Sequence, residues 1–476
     1  MPDIRGWLLP AGMLVLAITA ARVLALNFVQ IDLFVDEAQY WLWGQDPAFG
    51  YYSKPPMIGW VIRVFTELGS DTAFWIRLPG PLFHAATALI LGHIAARSFG
   101  ARAGVAVAVG FVTLPMVGLA SILISTDTIM FPFLALAGLG YLRLTEGAGR
   151  GWAVATGVCL GLAFLSKYAA IYYLFCALLA AGLIPQARIG WQKAGLVLAA
   201  FVPVISANLI WNATQGFPTL SHTLDNADWV RDPSARAGLN LPGLAEFFFA
   251  QFAVAGPVIF GGLLGMLVRA GRLTVRQRLL LSFALPIVAV VMGQALVSRA
   301  YANWAASAYL AGAVAVLPWL SRRWLLGSFV FNGGVCVLLP LLAIAAPFLG
   351  NTPAGSAVER YLGRHDMSRE ILSAAREAGA DTVVAASRDV LADLFYTGRD
   401  SGLRFFAVPP EGRPMHHYEM VFAFPGSGSA LYAGFEAAPP DCARGVAPVA
   451  TLHPKTGAYA DKTLRLYPVP TSCWTR

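Results

Sequence analysis

Two adjacent carboxylates, Asp36 and Glu37, follow directly on the first long apolar segment. The stretch FVDEAQYWLWGQDPAFGYYSKPPMIGW, residues 34 to 60, then adds aromatics, one lysine and a proline pair. Acids at the start of an interfacial helix can simply cap it and complement its dipole. At a membrane surface beside a cation, they can also deprotonate or orient a hydroxyl nucleophile. Asp127, in SILISTDTIMF, is a further carboxylate at the end of an apolar run. An ionisable group that close to hydrocarbon is costly and so a functional candidate, with N-capping by Ser125-Thr126-Asp127 as the alternative.

The cations complement these acids. Lys54 precedes Pro55-Pro56, and a following proline biases it towards extended backbone. A lysine held this way among aromatics can meet a phosphate as a point charge, or snorkel to lipid headgroups. Lys167, in FLSKYAA, lies between two apolar runs and either binds phosphate or marks the interface. Arg299, in VSRAYANWAA, stands with Tyr301 and Asn303 where a sugar or phosphate could be held, or serves topology alone. His222 and Asp225 occupy a polar loop, as metal or sugar partners or as a solvated surface. Tyr51 and Tyr52 offer ring faces of the kind sugars stack on. No ATP-type glycine loop and no Cys/His zinc spacing occurs, so no cofactor is assigned. A divalent metal is possible but unsupported, and the energy for a transfer must arrive within an activated lipid-linked donor.

Composition says where these residues work. Of 476 residues, 57% are hydrophobic and 13% charged, against about 25% charged in soluble proteins. The chain is a polytopic membrane protein and not a soluble globule. Its net charge of +8 is no nucleic-acid footprint: residues 350–476 hold 13 basic and 13 acidic side chains, and the excess lies wholly in 1–349. Eleven apolar runs of spanning length fall near 7–28, 79–97, 103–122, 128–145, 152–166, 168–185, 194–211, 245–268, 279–298, 303–320 and 324–347. The loops on one side collect Arg97, Arg102, Arg143, Arg188, Arg269, Arg276 and Arg323, with Asp3 and Glu146 as their only acids. By the positive-inside rule that side is cytoplasmic, and the Asp36 loop and the tail are external. The first run has an anchor's apolar length and is expected to be retained.

All the material able to build a site therefore lies outside. The first external loop, 29–78, reads as short helices in the interface, with Trp41, Trp43, Tyr51, Tyr52 and Trp60 at headgroup depth. A second external loop covers 212–244. The expected organisation is an all-α membrane domain, 1–349, and a small extracytoplasmic α/β domain, 350–476. In that tail EILSAAREAGADTVVAASRDVLADLFYTG reads helix–strand–helix, and YEMVFAF and TLRLYPV read as strands. Cys442 and Cys473 lie there, free or disulfide-bonded.

DEAQYWLW, YYSKPP, the triplet STD at 125–127, FLSKY and NWAA together resemble the polyprenyl-phosphate-sugar glycosyltransferases of the GT-C superfamily. That group includes protein O-mannosyltransferases and the aminoarabinose transferase of lipid A, and the likeness spans roughly residues 30–310. The resemblance implies a GT-C membrane fold of about eleven spans. It implies that Asp36 and Asp127 are catalytic acids and that Lys54, with Lys167, binds the donor phosphate. Ser53 stands where the aminoarabinose enzymes have an acid, so their metal site is not carried over. The implied reaction is inverting transfer of a monosaccharide from a polyprenyl phosphate to a lipid or glycan acceptor, with Glu37 assisting. The setting is the periplasmic face of a Gram-negative inner membrane. The alternatives are a protein O-glycosyltransferase of the same build, a flippase of lipid-linked sugars, or a non-catalytic assembly factor.

Overall fold

Apolar sequence without enough water-facing positions for a globule forms helices long enough to satisfy their own backbone in lipid. The computed structural model describes residues 5–226, 239–350, 352–470 and 472–474; residues 227–238 of the expected 212–244 loop lie outside the described residues. Among the described residues, six helices are long and apolar enough to cross a membrane: Leu8–Leu26, Ala73–Phe99, Thr126–Thr145, Trp191–Thr214, Val275–Val297 and Arg322–Phe348. Shorter apolar helices occupy Ala101–Val112, Arg150–Ser166, Tyr168–Leu183 and Ala308–Trp319. One expectation is corrected. The run 245–268 is no single helix, because Leu241–Ala255 and Pro257–Val268 meet at a bend of 117°. Gly256 makes that corner with φ of 85°, a region glycine enters without penalty, and Pro257 opens the next helix.

Contacts divide the chain into two units. The first comprises Met1–Asn27, Lys54–Val61 and Arg77–Leu341; the second comprises Phe28–Ser53, Ile62–Ile76 and Leu342–Arg476. The second unit thus takes in most of the 29–78 loop along with the tail.

In the first unit small residues let helices approach. A Cβ on Gly157 would lie 2.2 Å from the Val197 carbonyl oxygen, and one on Gly161 2.7 Å from Val204. Arg150–Ser166 therefore seats on Trp191–Thr214 through a glycine groove, the packing that substitutes for hydrophobic drive in lipid. Arg22, the one cation inside the first span, is buried and donates to the Val112 carbonyl at 2.7 Å. At the basic ends of the helices Glu146 gathers Arg97, Arg143 and Arg276 at 2.8, 3.1 and 2.8 Å. The one acid of those loops that is described is thus the hub of their arginines.

The second unit is built on a five-stranded sheet: β1 (Thr382–Ala385), β2 (Arg404–Ala407), β3 (Ala430–Gly434), β4 (Ala450–Leu452) and β5 (Leu464–Val469), in the order β2-β1-β3-β5-β4. The β1 strand pairs in parallel with β2 and β3, whereas β5 runs antiparallel to β3 and β4. All four residues of β1 are buried, as expected for the centre of a sheet covered on both faces. Helices Arg364–Glu377 and Arg388–Thr397 flank it, as the helix–strand–helix reading expected. YEMVFAF is not a strand. His417–Val421 is a helical turn, followed by a single bridge from Ala423 to Ala407. His416 caps that turn by accepting from the Glu419 N–H, which commits the segment to helix. Cys442 and Cys473 are disulfide-bonded, with Cα atoms 5.4 Å apart.

Residues of the 29–78 loop pack into this unit. Trp41, Trp43, Tyr51 and Tyr52 are each buried. The Trp41 indole N–H donates to Asp71 at 2.6 Å, and Tyr396 donates to the Asp71 carbonyl. Asp32 accepts the Arg364 N–H at 2.8 Å, tying the loop to the start of a tail helix.

Candidate active site

The expected catalytic carboxylates fall in both units. In the second, Val35–Gln45 is a helix whose first turn carries both acids. Glu37 is buried and accepts the Phe34 N–H at 3.0 Å, the back-reaching half of a capping box. Asp36, one position earlier, points elsewhere: Arg388 donates to its Oδ1 at 2.5 Å. The same guanidinium donates through Nε to the buried Gln39 at 2.9 Å, so two residues one turn apart grip one arginine. Asp36 remains 44% exposed at its side chain. Burial lowers the Arg388 pKa, but Asp36, Tyr418 and Tyr40 outweigh it and leave the guanidinium above its ordinary value.

The neighbouring aromatics are spoken for. Tyr51 stacks on Trp43 with centroids 4.6 Å apart and donates to the Trp43 carbonyl at 2.7 Å. Tyr52 donates to the Pro414 carbonyl at 2.9 Å. The ring faces expected to meet a sugar are thus covered by protein. Burial pushes the Tyr51 hydroxyl up to about 12. His417 sits edge-on to Trp43; burial, aided by His416 and Arg388, pushes it down to about 3, so its ring is neutral.

In the first unit Asp127 lies in the first turn of Thr126–Thr145. Ser125 makes no side-chain capping bond there. Lys167, at the end of Arg150–Ser166, donates to both Asp127 oxygens, at 2.8 and 2.7 Å, with Asn303 at 3.5 Å from Oδ2. Asp127, Lys167 and Asn303 thus form one cluster out of three separate sequence motifs. His222 lies on the short helix Pro218–Asn226 and bonds Asn226 at 3.1 Å, while Arg299 donates to the Asn226 carbonyl at 3.3 Å. Tyr301 is exposed, with its ring 5.6 Å from that of Trp304. Lys54, half-buried, stands just ahead of the Met57–Leu68 helix. Among the described residues no group of three or more His, Cys, Asp or Glu is placed to hold a metal ion.

Sequence reasoning missed Arg388 and Gln39. One signal was available: Arg388 opens a helix behind Ser387, where the dipole disfavours a cation, which marks it as a residue kept for another contact.

The lipid A galacturonosyltransferase RgtD of Rhizobium johnstonii is 42% identical over 97% of this chain and 98% of its own length. The chain belongs to the GT-C glycosyltransferases that use polyprenyl-phosphate sugars. Residues 53–211 of this glycosyltransferase match the family model of dolichyl-phosphate-mannose-protein mannosyltransferases. Its fold is that of ArnT from Cupriavidus metallidurans. The structure bound to undecaprenyl phosphate superposes with a TM-score of 0.63 at 16% identity over 97% of this chain and 98% of the other. The apo structure gives 0.61 at 14% identity, over 99% of each chain. The glycosyltransferase is a multi-pass membrane enzyme, which sets aside the flippase and the assembly factor.

Proposed function

We propose that this glycosyltransferase moves a galacturonosyl residue from a polyprenyl-phosphate donor onto lipid A or the adjoining core sugar, with inversion. The observation that carries the reading is the end-to-end likeness to a lipid A galacturonosyltransferase. Charge counting supports about eleven spans, a cytoplasmic N-terminus and a periplasmic tail in the inner membrane. The uncharged Ser53 before Lys54 suits an anionic sugar, which an acid there would repel.

In this reading the acceptor hydroxyl oxygen attacks the anomeric carbon from the face opposite the phosphate. The bond from that carbon to the phosphate oxygen breaks and its electron pair leaves with the phosphate. Asp36 orients the hydroxyl and takes its proton. Lys54 stabilises the departing phosphate as a point charge, with Lys167 and Arg299 in support. Asp127 sets the position of Lys167, Glu37 fixes the helix that carries Asp36, and His222, Tyr301 and Asn303 contact the acceptor. No step is assigned to a metal.

The test is mass spectrometry of lipid A from cells that make the polyprenyl-phosphate uronate, with and without this gene. The expected outcome is a uronic-acid mass increment that depends on the gene and disappears with Asp36→Asn. Increments on proteins in place of lipid A would overturn the acceptor, and a neutral-hexose increment would overturn the sugar.

A further inference from the structure

The Asp36 carboxylate is held by a residue 352 positions away in sequence. Arg388 opens the helix that follows the central strand β1, so its backbone is anchored by a sheet and not by a loose loop. Its guanidinium is fixed at two points, Nη2 on Asp36 and Nε on Gln39. Gln39 is itself buried on the Asp36 helix, so the fork cannot swing without breaking a second bond. A planar guanidinium bound at two edges sets orientation in a way a lysine point charge cannot. The pair is nonetheless not sealed: Asp36 keeps 44% of its side chain exposed, and Arg388 keeps 34%. A buried structural ion pair would bury both ends. This one fixes a carboxylate and leaves it open to a substrate.

We propose that Arg388 is a positioning residue of the transferase: it holds Asp36 in one rotamer, so that the carboxylate meets the acceptor hydroxyl in attack geometry. The inference rests on the reading of Asp36 as the acceptor-activating acid. The charged and titratable groups around the pair include Tyr40 on the Asp36 helix, Asp389 and Asp393 on the Arg388 helix, and His416, His417, Tyr418 and Glu419 at the helical turn. Burial lowers both histidines and raises the Tyr418 hydroxyl. Arg388 is therefore a fixed cation in direct contact with the Asp36 carboxylate.

The experiment uses the full-length chain in detergent, with undecaprenyl-phosphate galacturonic acid as donor and purified lipid A as acceptor. Four variants are compared with the parent: Arg388→Gln, Arg388→Lys, Gln39→Leu and Asp36→Asn. Arg388→Gln is expected to lower kcat about 10- to 100-fold, the scale of a misplaced catalytic group, with the donor KM within about 2-fold. Its acid limb should move to higher pH, because the carboxylate has lost the cation that favours its charged form. Arg388→Lys should restore part of kcat, and Gln39→Leu should give a smaller loss of the same kind. A raised donor KM with unchanged kcat would overturn the proposal in favour of direct phosphate binding. A lower melting temperature with an unmoved pH profile would reduce the arginine to a structural residue. Should Arg388→Gln not fold, Gln39→Leu carries the same comparison. If Asp36→Asn is fully active, the reading of Asp36 itself fails. If Asp36→Asn is inactive while Arg388→Gln and Gln39→Leu match the parent, only the positioning role fails.

Discussion

Lys167 donates to both oxygens of Asp127, at 2.8 and 2.7 Å, and the two side chains keep only 17% and 10% of their surface exposed. A pair this enclosed costs more to break than to replace, because the surviving partner keeps a charge it cannot hydrate. Lys167→Met is therefore expected to destabilise the protein by about 3 kcal/mol, and Lys167→Met with Asp127→Asn should recover much of that loss. Thermal unfolding of the purified variants checks this. A double variant no more stable than Lys167→Met alone would show that the pair does not act as a unit.

The glycine groove gives a second prediction. Gly157→Leu forces a side chain into the Val197 backbone, 2.2 Å from the built Cβ, and should cost at least about 1–3 kcal/mol through overpacking. Gly182→Leu meets open space and should melt like the parent. Fluorescence-detected unfolding of both variants in one detergent is the measurement, and equal melting points would refute the packing account.

Asp393 supplies a pH dependence. It is buried on the Arg388–Thr397 helix, and burial raises its pKa against opposing hydrogen bonds from Ser368 and Thr397. A carboxyl raised in the folded state adds stability that is fully present below the ordinary aspartate range. That stability is lost as pH climbs through the raised value. Asp393→Asn cannot titrate. It should melt above the parent near pH 7.5, and the difference should shrink or reverse near pH 4. A difference that does not vary with pH would show that Asp393 does not titrate between the states.

Much of this was legible in the sequence. Most apolar runs coincide with helices because lipid leaves the backbone little choice, the run 245–268 being broken at Gly256, and Asp127, Lys167 and Asn303 were each picked out by polarity at the edge of an apolar run. Their union was not legible, since no periodicity links residues in three different helices or turns. The stacking of Trp43 on Tyr51 was not legible for a related reason: an aromatic that will stack on another is indistinguishable, in sequence, from one awaiting a sugar or a headgroup. YEMVFAF has the β-branched and aromatic composition of a strand, and the His416 cap overrode it. The partner of Arg388 was not legible because it stands 352 residues earlier.

The disulfide Cys442–Cys473 closes a loop with a sequence separation of 31. Loop-closure entropy for that length is worth about 3–4 kcal/mol. Cys442→Ser with Cys473→Ser should lower the melting temperature of the tail accordingly, and a reductant should reproduce the shift in the parent alone. A parent that gives the same melting curve with and without reductant would refute it.

The distance in sequence between Asp36 and Arg388 also has a temporal meaning. A ribosome makes Asp36 almost at once, but every later membrane helix and the first strand of the sheet must follow before Arg388 exists. The carboxylate therefore spends nearly the whole of synthesis and insertion without its arginine. On the proposal that Arg388 positions Asp36, the enzyme's chemistry is tied to synthesis of the tail, and shorter fragments carry the acid without its arginine.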